Sequence, residues 1–364
     1  MADCHRLPII VYLTTTHGLL MCNTYFLPPE WAPQRGVLLT WPHDRSDWGS
    51  NLPGAERVFV DLATHIARFE NLIVVCHDVN HRRYVTHLLT SRGLDLARLS
   101  TFIAPSNDCW VRDHGPITVF SADGKVLMDF VFNGWGGKFS ATLDNKVTTS
   151  IHAQGAFADN TLHHIDFVLE GGSIDVDGHG TLLTTEKCLL APSRNPSCDR
   201  ATIEAMLHET LGINRVLWLT EGHLAGDDTD SHIDILARFC DPDTIAYVAC
   251  DDPADEHYGP LARMQKELQA FRSWTGAPYR LVPLPWPQPK YGEDGRRLPA
   301  GYANFLIING AVLVPTYDDP ADVVALQRLR DCFPGREIVG VPSLPLITQG
   351  GSLHCVTMQL PADR

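Results

Sequence analysis

The chain has 364 residues, of which 44% are hydrophobic and 20% charged, so it can bury a sizeable core. Its formal net charge of −14 argues against nucleic acid and anionic membranes as partners, because both attract basic surfaces. No stretch approaches the roughly 18 consecutive apolar residues that cross a bilayer, so we expect no membrane partner.

The first 24 residues do not have the pattern of a globular domain. Residues 7–22 contain an apolar run that resembles a secretion signal, but three threonines and a histidine interrupt it and no small-residue cleavage site follows. We therefore expect a disordered extension over residues 1–24, with Met21 as an alternative start. A single domain is expected over residues 25–364.

Ten cysteines are scattered along the chain without a Cys-x-x-Cys pair. This pattern argues against a zinc knuckle or a thioredoxin-like motif. It is typical of reduced thiols that are buried as small hydrophobic groups. Because reduced thiols are typical of the cytoplasm, we expect a cytoplasmic protein.

Predicted strands and helices alternate along the chain, which indicates an α/β or α+β fold with more strands than a simple βαβ repeat requires. β-branched and aromatic runs predict strands, and apolar residues at i, i+3 and i+4 predict helices. Asp199 and Pro320 predict helix starts. The predicted strands are residues 36–41, 72–76, 117–120, 126–132, 173–176, 180–184, 188–191, 245–250, 281–284, 305–308 and 311–315. The predicted helices are residues 55–68, 81–92, 200–210, 258–274 and 321–332.

Reactive side chains and glycines concentrate in four stretches, residues 107–116, 169–174, 227–239 and 349–357. The acids and histidine of residues 227–234 could bind a hard cation, although their spacing is not that of an EF-hand loop. On a strand, His232 and Asp234 would share one face, which suits an acid–base pair equally well. A metal site, a catalytic pair and a solvated loop all stay open interpretations. Residues 134–140 lack the spacing of a phosphate-binding loop.

Three candidate residues also have ordinary structural interpretations. Cys355 alone would be a buried structural thiol, but two glycines shortly before it allow close approach of a ligand. Glu170 could belong to a surface turn, and Asp113 could merely pair with Arg112. His354 adjoins Cys355, but neighbours on a strand face opposite ways, so we do not expect it to be the catalytic base.

Short motifs in a fixed order identify a family that these residues resemble. The motifs are Pro-Glu-Trp at 29–31, Trp-Pro at 41–42, Trp-Val-Arg-Asp-His-Gly-Pro at 110–116, Glu-Gly-Gly at 170–172, His-Ile-Asp at 232–234, Ala-Arg-Phe at 237–239, Tyr-Ala-Asn-Phe at 302–305 and Gly-Gly-Ser-Leu-His-Cys-Val-Thr at 350–357. Each motif alone is weak evidence for a family, but all of them in this order are specific, and together they span the chain from about residue 25. The sequence resembles the agmatine deiminase family, within the Porphyromonas-type peptidyl-arginine deiminases.

The resemblance implies a pentein fold, a five-bladed α/β propeller of ββαβ modules around a pseudo-fivefold axis with the site at its centre. Gaps of 57, 62 and 123 residues separate Asp113, Glu170, His232 and Cys355. This spacing fits one site residue per module with one module skipped. The skipped module would centre near Asp294, in the proline-rich residues 283–299, and counting back one module from Asp113 leads to residues 41–48.

The resemblance also implies hydrolysis of agmatine to N-carbamoylputrescine and ammonia. Cys355 would attack the guanidinium carbon to form a thiouronium intermediate, with His232 as general acid and base and Glu170 orienting it. Asp113 and Asp234 would clamp the planar cation, because a carboxylate accepts two parallel N–H bonds. We expect these carboxylates to raise the pKa of Cys355 in the empty site, and the cationic substrate to lower it.

Trp110, Trp41, Asn304 and Gly351 complete the predicted substrate-binding set. The expected partner is a small cationic guanidino substrate, without metal or organic cofactor, and a homodimer is one option for the assembly. Two alternatives stay open: a peptidyl-arginine or free-arginine deiminase of the same chemistry, and a metallohydrolase built on residues 227–234.

Overall fold

The structure, a computed structural model, describes residues 25–363. The predictions for the extension and for a start at Met21 fall outside the described residues. The strands are β1 (Gln34–Thr40), β2 (Asn71–Cys76), β3 (Leu99–Ile103), β4 (Ile117–Ser121), β5 (Gly124–Val131), β6 (Thr161–Val168), β7 (Ile174–Val176), β8 (Thr181–Thr185), β9 (Arg215–Leu219), β10 (Ala237–Asp241), β11 (Thr244–Val248), β12 (Arg280–Leu284), β13 (Leu306–Ile307), β14 (Ala311–Thr316), β15 (Glu337–Pro342) and β16 (Met358–Pro361). The helices are α1 (Leu52–Ala67), α2 (Val79–Ser91), α3 (Val111–His114), α4 (Gly134–Gly137), α5 (Val147–His152), α6 (Glu186–Leu189), α7 (Arg200–Leu211), α8 (Tyr258–Ala270), α9 (Ala321–Cys332) and α10 (Leu344–Ile347).

Five small sheets repeat one pattern in the described part of the chain. In each, an antiparallel strand pair is followed by a third strand parallel to the second, as in β4–β5–β6. A helix lies between the second and third strands, because parallel neighbours need a long crossover. The other triplets are β7–β8–β9, β10–β11–β12, β13–β14–β15 and β16–β1–β2. The predicted pentein fold of five ββαβ modules is confirmed.

The two ends of the described chain meet in the fifth module. β16 pairs antiparallel with β1, with Met358 opposite Leu38 and Leu360 opposite Gly36, and β3 extends this sheet beyond β2. Met358 and Leu360 are both buried. The last module therefore forms only when the first and last strands come together.

Local signals explain where the longer helices begin. The Asp199 side chain accepts a hydrogen bond from the Thr202 amide at the start of α7, and Pro320 is the residue before α9. Both predicted starts are confirmed. α1 buries Ala55, Phe59 and Ile66, which recur at helical spacing. None of the helices in residues 25–363 combines the length and apolar character needed to cross a bilayer.

One predicted element is wrong, and one predicted helix ends earlier than expected. Residues 188–191 were predicted as a strand, but the chain forms helix α6 there, and the Thr185 hydroxyl caps it by accepting from the Cys188 amide. The helix predicted over residues 258–274 ends at Ala270, because Phe271 is extended (ψ 155°). The Thr185 cap in the first place and the extended backbone at Phe271 in the second override the apolar pattern.

Candidate active site

The candidate residues lie just before the first strand of each module. The structure places Asp113 before β4, Glu170 before β7, His232 and Asp234 before β10, Asn304 before β13 and Cys355 before β16. Each is at most 4% exposed. Equivalent connections in the five modules therefore bring residues that are distant in sequence into one buried site.

Two positions inferred from the module spacing are wrong. Asp294 lies on an exposed turn, where its carboxylate accepts from the Arg296 amide at 3.0 Å, and the equivalent position of its module is Asn304. Residues 41–48 follow β1, whereas the residue before the first strand of that module is Cys355. Counting back to residues 41–48 misled because the fifth module takes its first strand from the C-terminus, and Asp294 was misplaced because a long connection between β12 and β13 puts Asn304 beyond the expected centre.

Cys355 sits between an amide and a carboxylate. Its Sγ lies 3.2 Å from Asn304 Nδ2 and 3.5 Å from Asp234 Oδ2. Burial raises the pKa of Cys355 well above its usual value, the charges of Asp234 and Asp113 raise it further, and the Asn304 hydrogen bond acts in the opposite direction. The expected elevation is present, with burial as its larger cause. The resting group is a thiol.

Asp113 is held by both of its oxygens. Oδ1 accepts from the Gly172 amide at 2.9 Å, and Oδ2 accepts from Trp135 Nε1 at 2.9 Å. Burial raises the pKa of Asp113 to about 6; the charge of His232 opposes this rise and nearby carboxylates add to it. Asp113 is therefore fixed in place, with a pKa of about 6.

Asp234 has one free oxygen. Its Oδ2 contacts His354 Nδ1 at 2.8 Å, whereas Oδ1 is buried and has no hydrogen-bond partner among residues 25–363. Burial raises the pKa of Asp234, but the hydrogen bond and charge of His354 lower it more, so the net shift is downward. An ionised, unpartnered buried oxygen is costly unless a donor binds there.

His232 is completely buried between two carboxylates. Its Nδ1 lies 3.6 Å from Asp113 Oδ1 and its Nε2 3.8 Å from Glu170 Oε2, and neither ring nitrogen has a hydrogen-bond partner in the described chain. Burial lowers the pKa of His232, but the charge of Asp113 and the contacts with Cys188 and Glu170 raise it well above its usual value. Burial raises the pKa of Cys188, so its thiol is neutral and contributes no charge. The raised pKa of His232 is therefore due to the carboxylates of Asp113 and Glu170.

Glu170 is anchored from behind by Arg194. Arg194 Nε lies 2.9 and 2.8 Å from the two Glu170 oxygens, and both side chains are fully buried. Burial raises the pKa of Glu170, but His232 and Arg194 lower it more, so the net shift is downward. Glu170 therefore presents a fixed negative charge to His232.

The loop before His232 is strained and tied down. Asp230 and Ser231 adopt left-handed backbone angles (φ 68° and 65°), which cost on the order of 1 kcal/mol each. The Asp227 carboxylate accepts from the Ser231 amide at 2.8 Å, and Asp230 pairs with Arg194 at 2.7 Å. These contacts fix the position from which His232 enters the site.

The acids of residues 227–234 do not assemble a metal site. Asp227 and Asp230 are engaged within their loop and with Arg194. Among residues 25–363, the group whose donor atoms could reach one ion is Glu170, Cys188 and His232, and both Glu170 oxygens there already accept from Arg194. The metallohydrolase interpretation built on this loop is therefore wrong.

Cys355 opens into a pocket of about 240 Å³. Trp110, Trp135 and Gly351 line its walls. A Cβ on Gly351 would lie 2.2 Å from Trp110 Cζ3, so the glycine leaves room for this ring. Trp41 does not line the pocket; it is buried, with its ring 5.5 Å from that of Phe59. The predicted substrate contact of Trp41 is therefore wrong.

Three side chains that shape the site were not predicted. Trp135, on the turn dismissed as a phosphate loop, orients Asp113; Arg194 anchors Glu170; and His354 holds Asp234. The glycines on both sides of Trp135 could have indicated a tight turn. The structure has such a turn there, and Trp135 itself has a φ of 55°, which is rare for a bulky residue. His354 contacts Asp234 of another module, and Arg194 contacts Glu170 from the connection between β8 and β9; local patterns show neither contact.

Comparison with known proteins agrees with this geometry. The family model described as Porphyromonas-type peptidyl-arginine deiminase matches residues 26–361. The chain belongs to this family. A family member from Pseudomonas fluorescens (strain SBW25), an agmatine deiminase, is 35% identical over 372 residues, covering 96% of this chain and 99% of that protein.

Solved structures show the same likeness. An agmatine deiminase from C. jejuni with substrate bound is 36% identical, with a TM-score of 0.86, and the match covers 93% of this chain and 97% of that one. A proposed arginine deiminase from Porphyromonas gingivalis is 53% identical, with a TM-score of 0.87, and the match covers 93% and 98%. The resemblance drawn from the motifs is confirmed.

Proposed function

We propose that the protein is an agmatine deiminase that hydrolyses agmatine to N-carbamoylputrescine and ammonia. The observation that carries the proposal is the unpartnered Oδ1 of Asp234, buried beside Cys355 and opposite the fixed carboxylate of Asp113. A guanidinium supplies planar N–H donors and a positive charge, which this arrangement lacks. The agmatine deiminases among its relatives support the same substrate.

The first half of the reaction forms the covalent intermediate. The bound cation stabilises the thiolate of Cys355, so the thiol proton leaves when substrate enters. The thiolate attacks the guanidinium carbon, and the C–N bond to the departing amino group breaks. His232 donates the proton that makes this group ammonia. Its elevated pKa keeps His232 protonated for this step.

The second half releases the product. Neutral His232 takes a proton from water, and the resulting hydroxide attacks the thiouronium carbon. As the C–S bond breaks, the new hydroxyl gives its proton to the Cys355 sulfur, which restores the thiol and leaves a ureido group on the product. Glu170 stays ionised throughout and orients the imidazole, because Arg194 holds both of its oxygens.

The pocket lining favours a substrate with a cationic tail. Asp47, Asp108 and Asp228 line the pocket together with a single arginine, Arg296. Agmatine ends in an ammonium group, whereas free arginine adds a carboxylate that three acids would repel. A substrate without the carboxylate therefore fits this charge balance better.

Arg296 favours the second candidate, a free-arginine or peptidyl-arginine deiminase. Its guanidinium could pair with an α-carboxylate or a peptide carbonyl. The 53% identity to the proposed arginine deiminase from Porphyromonas gingivalis points the same way. Both candidates use the same chemistry at Cys355 and differ only in the substrate tail.

Ammonia release from agmatine, free arginine and an arginine-containing peptide separates the two candidates. For an agmatine deiminase, Asp228→Asn raises KM for agmatine, and Arg296→Gln leaves kcat/KM for agmatine within about threefold. Faster turnover of arginine or the peptide, abolished by Arg296→Gln, would instead establish the second candidate. Asp61→Asn is the matched control for Asp228, because Asp61 is exposed on α1 and does not line the pocket.

A single catalytic domain over residues 25–364, a cytoplasmic location and a homodimer stay predictions. Size-exclusion chromatography with light scattering tests the assembly: a mass of twice the 40.3 kDa chain supports a homodimer, and the monomer mass contradicts it.

A further inference from the structure

A line of three ionisable side chains lies behind the pocket. Glu30 Oε1 is 2.7 Å from His354 Nε2, and His354 Nδ1 is 2.8 Å from Asp234 Oδ2. Cys355 Sγ lies 3.5 Å from the same Oδ2 atom. The line therefore connects the segment before β1 with the nucleophile.

The geometry fixes the charge on His354. An ionised carboxylate only accepts hydrogen bonds, and a neutral imidazole has only one N–H. Two carboxylate contacts below 3 Å, one on each ring nitrogen, are both satisfied when His354 is an imidazolium. Because His354 is completely buried, the two carboxylates provide the countercharge that water cannot.

Glu30 is itself held in place. Its oxygens accept from Arg112 Nη1 at 3.3 Å, from Gln359 Nε2 at 2.9 Å and from the guanidinium of Arg238. Burial raises the pKa of Glu30, but the charges of Arg238 and His354 lower it more, and the result lies well below the usual value. Glu30 is therefore a fixed anion at the rear of the line.

We propose that His354, anchored by Glu30, is a positioning residue that orients Asp234 for the substrate. The imidazolium occupies Oδ2 and leaves Oδ1 as the free acceptor for the guanidinium. The inference rests on the proposed function, because the guanidinium contact of Asp234 is assigned there. His354 itself touches neither the substrate nor the sulfur in this arrangement.

Agmatine binding to the full-length Cys355→Ser chain, measured by calorimetry, tests the positioning role without turnover. Adding His354→Gln removes the charge and one of the two donated bonds, so Kd is expected to rise by at least about tenfold. Adding Glu30→Gln is expected to act in the same direction, and the two changes together should be less than additive. His208→Gln is the control, because His208 contacts Ile213 O at the end of the outer helix α7.

A rise in Kd of less than about threefold with His354→Gln, or an equal rise with His208→Gln, would overturn the proposal. Nitrogen-15 NMR of the wild-type histidine rings gives a second readout that needs no substrate. Both ring nitrogens of His354 should carry protons if each donates to its carboxylate, and a single protonated nitrogen would overturn the imidazolium. If the Cys355→Ser chain binds no guanidine at all, the proposed function fails, and the NMR result alone then decides the charge of His354.

Discussion

Gly172 leaves the space in which three side chains of the site meet. A Cβ at this position would lie 2.7 Å from His232 Nδ1, 2.8 Å from Asp113 Oδ1 and 3.0 Å from Asp234 Oδ2. All three contacts are shorter than a methyl group tolerates. The geometry of the proposed clamp and of the proposed general acid therefore depends on a residue that carries no reactive group.

Gly172→Ala is expected to lower kcat/KM for agmatine by about a hundredfold, because displacing reacting groups by about 1 Å costs on that order. Steady-state ammonia release measures the loss, and circular dichroism checks that the chain stays folded. Gly335→Ala is the control, since its added Cβ meets no atom within 4 Å. Equal activity of the two variants would contradict the described packing around His232.

Asp113 is expected to set the acid limb of the pH profile. It must be ionised to accept the guanidinium, and its pKa is about 6 in the free protein, so kcat/KM should fall as the pH drops through about 6. The Trp135 hydrogen bond stabilises the ionised form. Trp135→Phe should therefore raise the pKa of Asp113 and move the limb to higher pH.

The control for that shift is Trp218→Phe, since Trp218 Nε1 donates to Glu204, a residue outside the site, at 2.8 Å. The pH dependence of kcat/KM is measured for all three proteins. An acid limb that stays in place in Trp135→Phe would show that Asp113 does not control it.

At the scale of elements, the five longest helices and ten of the sixteen strands in residues 25–363 were predicted, and β3, β6, β9, β10, β15 and β16 were not. α7 and α9 carry both an apolar period and a start signal. β6 is largely solvent-accessible and contains His163 and His164, so it lacks a buried-strand pattern. β16 has only four residues, and it is a strand because β1 pairs with it from the other end of the chain.

Leu360 tests how much this closing strand stabilises the fold. It is buried against the sheet of β1, and Leu360→Ala should reduce the free energy of unfolding by about 2–5 kcal/mol. Urea denaturation measures the loss. Val323→Ala is the control, because Val323 on α9 is 72% exposed. A change below about 0.5 kcal/mol in Leu360→Ala would show that β16 adds little to stability.

At the scale of the molecule, the motifs identified the reactive residues, and the fold shows how they meet. Asp113, Glu170, His232, Asp234 and Cys355 are all parts of motifs read from the sequence, and the structure brings them together. Glu30 contacts His354, which is far away in the chain, and Arg194 contacts Glu170 and Asp230 across intervening strands, so no local pattern could reveal these supporting contacts. Trp41 shows that a residue of a family motif can lie in the hydrophobic core and not in the site.

The acidic character of the whole chain also agrees with the pocket. A net charge of −14 attracts cations and repels anions before any specific contact forms. Asp47, Asp108 and Asp228 concentrate this charge at the pocket. Charge thus favours a cationic guanidine over a zwitterionic amino acid at both the global and the local scale.

The most direct test of the account is detection of the covalent intermediate on Cys355. Wild-type protein is mixed with agmatine, quenched in acid within the first turnover, digested and analysed by mass spectrometry. The account predicts that the peptide containing Cys355 gains the mass of agmatine less ammonia, and that Cys355→Ser gains nothing and releases no ammonia. Ammonia release by Cys355→Ser, or an adduct on a different cysteine, would contradict it.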